Sequence, residues 1–186
     1  MQKLTRTVVV SLIVAALGTA ACAPAETTVT VQPAPGIMPD ASIAGVISTA
    51  NQAQIEQGEL ASSKASDSAV RAFAERMVTE HRNVGDQFRS VLEQANVSTA
   101  TSTTATQLEE TADRTIETLR SLEGAAFDRT YMDSQVSLHE WLLRTLDETL
   151  IPAAQDDSIE QQLRTIRTGV AGHLEEARTI RQNLGS

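Results

Sequence analysis

NVSTATSTTATQLEETADRTIETLRSLEG (Asn96–Gly124) is the stretch on which the architecture turns. It begins with a Ser/Thr-rich break over 96–104, and such side chains bond their own backbone and favour turns over helix interiors. Thr106 with Glu109 then fits a capping box, which predicts a short helix to about residue 122 before Gly124 interrupts. The whole segment is too long for a tight turn between antiparallel helices, which takes about 2–8 residues. It suits a crossover that carries the chain from one end of a bundle to the other.

On both sides of this stretch the apolar spacing is helical. A first helix is expected over 40–64, with Ile43, Val46, Ile47, Ala50, Ala53, Leu60 and Ala61 at mostly three- and four-residue steps. Ser66 and Asp67 offer a cap for a second over 68–95, striped by Val70, Phe73, Ala74, Met77, His81, Val84, Phe88 and Val91. A third long helix is expected over 125–150, stopping before Pro152, with Phe127, Met132, Val136, His139, Leu142, Leu143 and Leu146 on one side. Ser158 with Gln161 forms another capping box, opening a last helix to about 183. Four helices of this length, each near 38 Å at roughly 1.5 Å per residue, make an all-α four-helix bundle. With a short helix in the crossover, the connectivity is ferritin-like; a plain up-down bundle with an extra helix is the competing topology.

Composition narrows the classes of function. A chain of 186 residues builds one core. Its formal charge of −9 and 3% aromatic content provide neither the basic face nor the stacking rings of a nucleic-acid binder. One cysteine cannot form an internal disulfide. No Walker, Rossmann, G-x-S-x-G or H-E-x-x-H pattern occurs, so no catalytic residue or organic cofactor is identified.

The N-terminus reads as an address. Lys3 and Arg6 precede the apolar run 8–17, and small residues then lead to Cys22, which is the order of a secretory signal. Thr19-Ala20-Ala21-Cys22 resembles a lipobox, which makes Cys22 a lipidation candidate and a lipid on it the expected membrane contact. Residues 23–39 hold four of the five prolines and read as a tether, leaving 40–186 as the helical domain. Removal of 1–21 takes away two bases and no acid, so the exported charge shifts from −9 to −11. The expected location is the periplasm, anchored to the outer membrane. Oligomeric state is not legible.

His81, His139 and His173 are the only histidines, one on each of three long helices, each among apolar neighbours. Under the crossover topology they lie about 20, 21 and 16 Å from the end where the first two helices meet, and Glu56 falls at about 14 Å. In an up-down bundle His173 moves to about 27 Å and the layer disperses. Topology and cluster therefore stand or fall together. Three imidazoles with Glu56 would suit a single divalent metal such as Zn²⁺, Cu²⁺ or Fe²⁺. A di-iron centre is not expected, because Val78, Val136 and Val170 stand three residues before the histidines where Glu-x-x-His needs acids. Alternatively the histidines are structural, bonded to carboxylates among Glu56, Glu80, Asp133 and Glu176. Asp128, early in its helix, is expected to complement that helix's dipole.

VRAFAERMVTEH (Val70–His81), GAAFDRTYMDSQVSLHEW (Gly124–Trp141) and GHLEEA (Gly172–Ala177) resemble the domain of unknown function 4142. The resemblance covers about residues 40–183. It implies a ferritin-like helical fold and an exported bacterial protein, often labelled an outer-membrane protein, and it implies no activity. Members tend to carry a glutamate where Gln54 stands and a proline-containing stretch where this chain has Thr165–Val170. Two readings follow: a non-enzymatic cell-envelope lipoprotein of structural or stress-related role, or a metal-binding module built on the histidine layer.

Overall fold

The computed structural model describes residues 38–184. The signal, the lipobox with Cys22 and nearly all of the tether lie outside the described residues. Among those described, every regular element is helical: α1 (Asp40–Lys64), α2 (Ser68–Gln94), α3 (Thr103–Arg120), α4 (Gly124–Thr145), a π turn (Leu146–Leu150), α5 (Ile151–Ala153) and α6 (Asp157–Asn183).

α1 packs against α2 and α4, and α6 packs against the same two helices, so the four close a ring with α1 and α6 diagonally opposed. α3 lies outside this ring, mainly on α1. Side-chain and backbone bonds fix the ends. Asp40, opening α1, accepts from the backbone N–H of Gln155 and Asp156, just before α6. At the far end Lys64 donates to the Arg120 carbonyl as α3 finishes. α2 therefore returns to the Asp40 end, α3 runs back alongside α1, and α4 starts where α1 and α2 meet. This is the crossover connectivity, not the plain up-down bundle.

The crossover begins with a specific stop. Asn96 takes φ 55°, a left-handed conformation that ends α2, and the Val97 N–H bonds the Leu92 carbonyl. The chain then passes over α1, where the Ala100 N–H donates to the Ala41 carbonyl. Gly45 permits this crossing: a Cβ there would lie 2.1 Å from the Ala100 carbonyl oxygen.

Three local expectations are corrected. α3 is capped by Ser102, whose hydroxyl accepts from the Ala105 N–H, instead of by Thr106. α6 is capped by Asp156, which accepts from Ser158 and Ile159, so Ser158 serves as donor and not as cap. In each case several adjacent side chains can cap, and the approach of the chain selects one. The helix over 125–150 also does not stop before Pro152. Proline lacks an N–H and crowds the preceding turn, and the wider π turn at Leu146–Leu150 accommodates it, so the helix ends at Ala153.

The core divides into two apolar clusters. One, toward the Asp40 end, contains Ile43, Ile47, Phe88, Leu146, Leu150 and Leu163. The other, toward the Lys64 end, contains Val70, Phe73, Met77, Phe127, Tyr131 and Met132. Each large side chain buried here contributes on the order of 1.5–3 kcal/mol by leaving water. Between the clusters lies a layer of buried polar groups: Gln54, Gln57, His81, Gln135 and His139.

Candidate metal centre

Helical spacing, together with the crossover, delivers His81 from α2, His139 from α4 and His173 from α6 to this layer. Their ring centroids lie 5.4–6.2 Å apart. One nitrogen from each ring can be chosen so that all three lie within 4.8 Å of one another. Tetrahedral coordination at about 2.0–2.1 Å places ligand nitrogens about 3.4 Å apart. Binding would therefore draw the nitrogens together by at most roughly 1.4 Å.

Each ring is held by one nitrogen. His81 Nδ1 donates to Asn51 Oδ1 at 3.0 Å. His139 Nδ1 donates to the Gln135 carbonyl, one turn earlier on α4, at 2.8 Å. His173 Nε2 donates to Glu80 Oε2 at 2.6 Å. In neutral rings these bonds fix the tautomers and leave the lone pair on His81 Nε2, His139 Nε2 and His173 Nδ1. His81 Nε2 and His173 Nδ1 are buried without a hydrogen-bond partner. His139 Nε2 has only the amide nitrogen of Gln54, at 3.5 Å.

Burial keeps His81 and His139 neutral. Desolvation, helped by the neighbouring His173 and His139, pushes His81 down to about 3. Desolvation also brings His139 down to about 4, against the opposing effect of its bond to Gln135 and with a further push from His173. Neutral imidazoles, each oriented by an acceptor on its other nitrogen, are the form in which histidine ligates metal.

Not every expected neighbour arrives. Glu56 lies on the exposed outer face of α1, where it accepts from Gln52 at 2.7 Å. The helical rise put it near the right height, but it follows Gln54 by two positions, about 200° around the helix. Gln54 is the α1 residue that reaches the layer, and its Oε1 is buried without a partner. Of the four acids considered as histidine partners, Glu80 alone has this role. Asp133 pairs with Arg181 at 2.5 Å, and Glu176 pairs with Arg76. Asp128 departs from its expected local role as well. It reaches across to the α1–α2 turn, accepting from the Ser66 N–H at 3.0 Å, the Asp67 N–H at 2.9 Å and the Ser66 hydroxyl. Asn51 was not singled out by the sequence. Its position four residues after Ile47 and three before Gln54, on the buried side of α1, is the signal that could have found it.

A second concavity, a groove of about 880 Å³ along α3 and α4, includes Trp141 and many threonines. The hydroxyls of Thr111, Thr115, Thr118 and Thr145 donate to carbonyls of their own helices, which leaves methyl groups to dominate what they present.

Comparison with known proteins agrees with the fold. The family profile of the domain of unknown function DUF4142 matches residues 25–180. No curated protein matches the chain. A crystal structure from Streptomyces coelicolor, of a protein described as secreted and of the DUF305 type, superposes with a TM-score of 0.64 at 14% identity. The match covers 79% of this chain and 94% of that one. At this identity the likeness concerns the fold.

Proposed function

The chain belongs to the DUF4142 family, and we propose that it is an exported helical-bundle protein whose His81, His139 and His173 hold a single divalent first-row metal ion. One observation carries the reading: two buried ring nitrogens bear lone pairs with no donor, and a third is only weakly served, all in one layer. An imidazole that merely fixed helix register would have both nitrogens satisfied, because a buried polar group left unpaired costs about 1–3 kcal/mol. A cation engaging three lone pairs removes that cost. Nitrogen donors without thiolate or a first-rank carboxylate favour Zn²⁺ or Cu²⁺. The Glu80–His173 pair supplies the carboxylate–histidine support typical of such sites.

Export is supported by the basic, apolar and small-residue order of the first 22 residues, and by the secreted description of the similar Streptomyces coelicolor protein. Cys22 is the lipid attachment point of this proposal and places the bundle on the outer membrane. Palmitate labelling that persists in Cys22→Ala would remove the anchor. For the metal, protein purified without a histidine tag should take up one equivalent of Zn²⁺ or Cu²⁺ per chain by elemental analysis after gel filtration. His139→Ala should lose it. Uptake that is substoichiometric, or unchanged in His139→Ala, overturns the reading and leaves a purely structural bundle.

A further inference from the structure

The three histidines are not equally enclosed. His139 is wholly buried, whereas His81 and His173 border a crevice between α2 and α6. Val84, Leu142, Ile166 and Val170 form apolar walls, and the open volume is about 60 Å³. That is room for a ligand of about two to four heavy atoms and too little for an organic substrate.

Gly169 lines the same crevice and precedes His173 by one helical turn, on the same side of α6. Glycine inside a helix is less favourable than alanine. Crowding does not require it here, since a Cβ at Gly169 would meet nothing within 4 Å. What the missing side chain does provide is open space beside His173. Gln162, farther along the crevice, adds a buried amide nitrogen with no acceptor.

Resting on the metal reading above, we propose that the ion keeps one coordination position open to the α2–α6 crevice and takes there a small exogenous ligand, a monoanion or neutral molecule of two or three atoms. Three protein nitrogens leave a tetrahedral ion one ligand short, as in histidine-ligated sites that bind water or small anions. Gln54 is the internal competitor. It presents its amide nitrogen, a donor, toward His139, and a donor cannot ligate a cation.

Cobalt(II) with azide as the probe tests this on the full chain. Wild type loaded with one equivalent of Co²⁺ should show a four-coordinate visible spectrum that shifts on azide titration and saturates. Gly169→Leu should retain one Co²⁺ and bind azide at least tenfold more weakly, with Gly169→Ala near wild type. Val84→Leu, narrowing the crevice from α2, should weaken azide in the same direction and serves if Gly169→Leu does not fold. A cobalt-loaded wild type blind to azide overturns the open position, as it would if Gln54 turned its oxygen onto the ion. Equal azide affinity in the plugged variants overturns the crevice as the route. Failure of wild type to bind Co²⁺ at all overturns the metal reading itself, a separate and distinguishable result.

Discussion

Two buried polar assemblies hold this bundle together across its length, and they differ in how completely they are bonded. At the Lys64 end, Asp128 is 1% exposed and its carboxylate accepts three donors from the α1–α2 turn. In the middle, the histidine layer is anchored from behind by Asn51, Gln135 and Glu80, yet turns unpaired nitrogens inward. The first network is closed and needs nothing more. The second is organised but incomplete, which is the arrangement expected where a ligand supplies the missing bonds.

Breaking the closed network should have the largest effect. Asp128→Ala removes the acceptor of two backbone N–H groups and a hydroxyl in the α1–α2 turn, and should cost about 2 kcal/mol of stability while leaving metal stoichiometry unchanged. Urea unfolding of wild type and variant measures it. A loss below about 0.5 kcal/mol, within the range of ordinary surface substitutions, would show that the turn is not held by this carboxylate.

The anchors of the open network should act on affinity more than on stability. Glu80 is 43% exposed, so Glu80→Gln should weaken metal binding by roughly tenfold, at the lower end of what such supporting carboxylates contribute. Competition against a chelator reads the change. Glu56→Gln is the matched control, because Glu56 faces solvent, and an equal loss there would mean the effect is general surface charge.

Acid separates the two networks in a third way. The unfolded chain protonates His81 and His139 near the ordinary 6.5, while the folded chain resists until about 3 and about 4. More protons on the unfolded side means that stability is fully present above about pH 6.5 and falls as pH drops toward 4. For metal-free protein at pH 5.5 the loss should be about 1.4 kcal/mol per histidine. Thermal unfolding in chelator at pH 7 and 5.5 checks it, and His139→Leu should flatten the slope. No change in slope would mean that the imidazole is not kept neutral by its surroundings.

The course of the backbone was largely written in local periodicity. Apolar steps placed α1 over the residues it occupies, and the length of 96–124 selected the crossover that brings His81, His139 and His173 level. Facing and partnering were not. Glu56 had the right height and the wrong side of its helix. Glu80 points away from its sequence neighbour His81, and only the packing of α2 on α6 gives it His173. Asp128 could be read as an N-terminal acid but not as a bridge to Ser66 and Asp67, more than sixty positions away. Axial position follows from counting residues. Azimuth and long-range bonds depend on which helices become neighbours.

The course of α3 also bears on the order of events as the chain folds. By spanning the bundle from end to end, it leaves α2 and α4 parallel, while α1–α2 and α4–α6 are each an antiparallel hairpin of nearby sequence. Asn51 and His81 belong to the first hairpin, His139 and His173 to the second. No ion can engage all three rings until the hairpins have docked. Metal should then act as a clasp closed last, slowing the unfolding rate while leaving the folding rate almost unchanged.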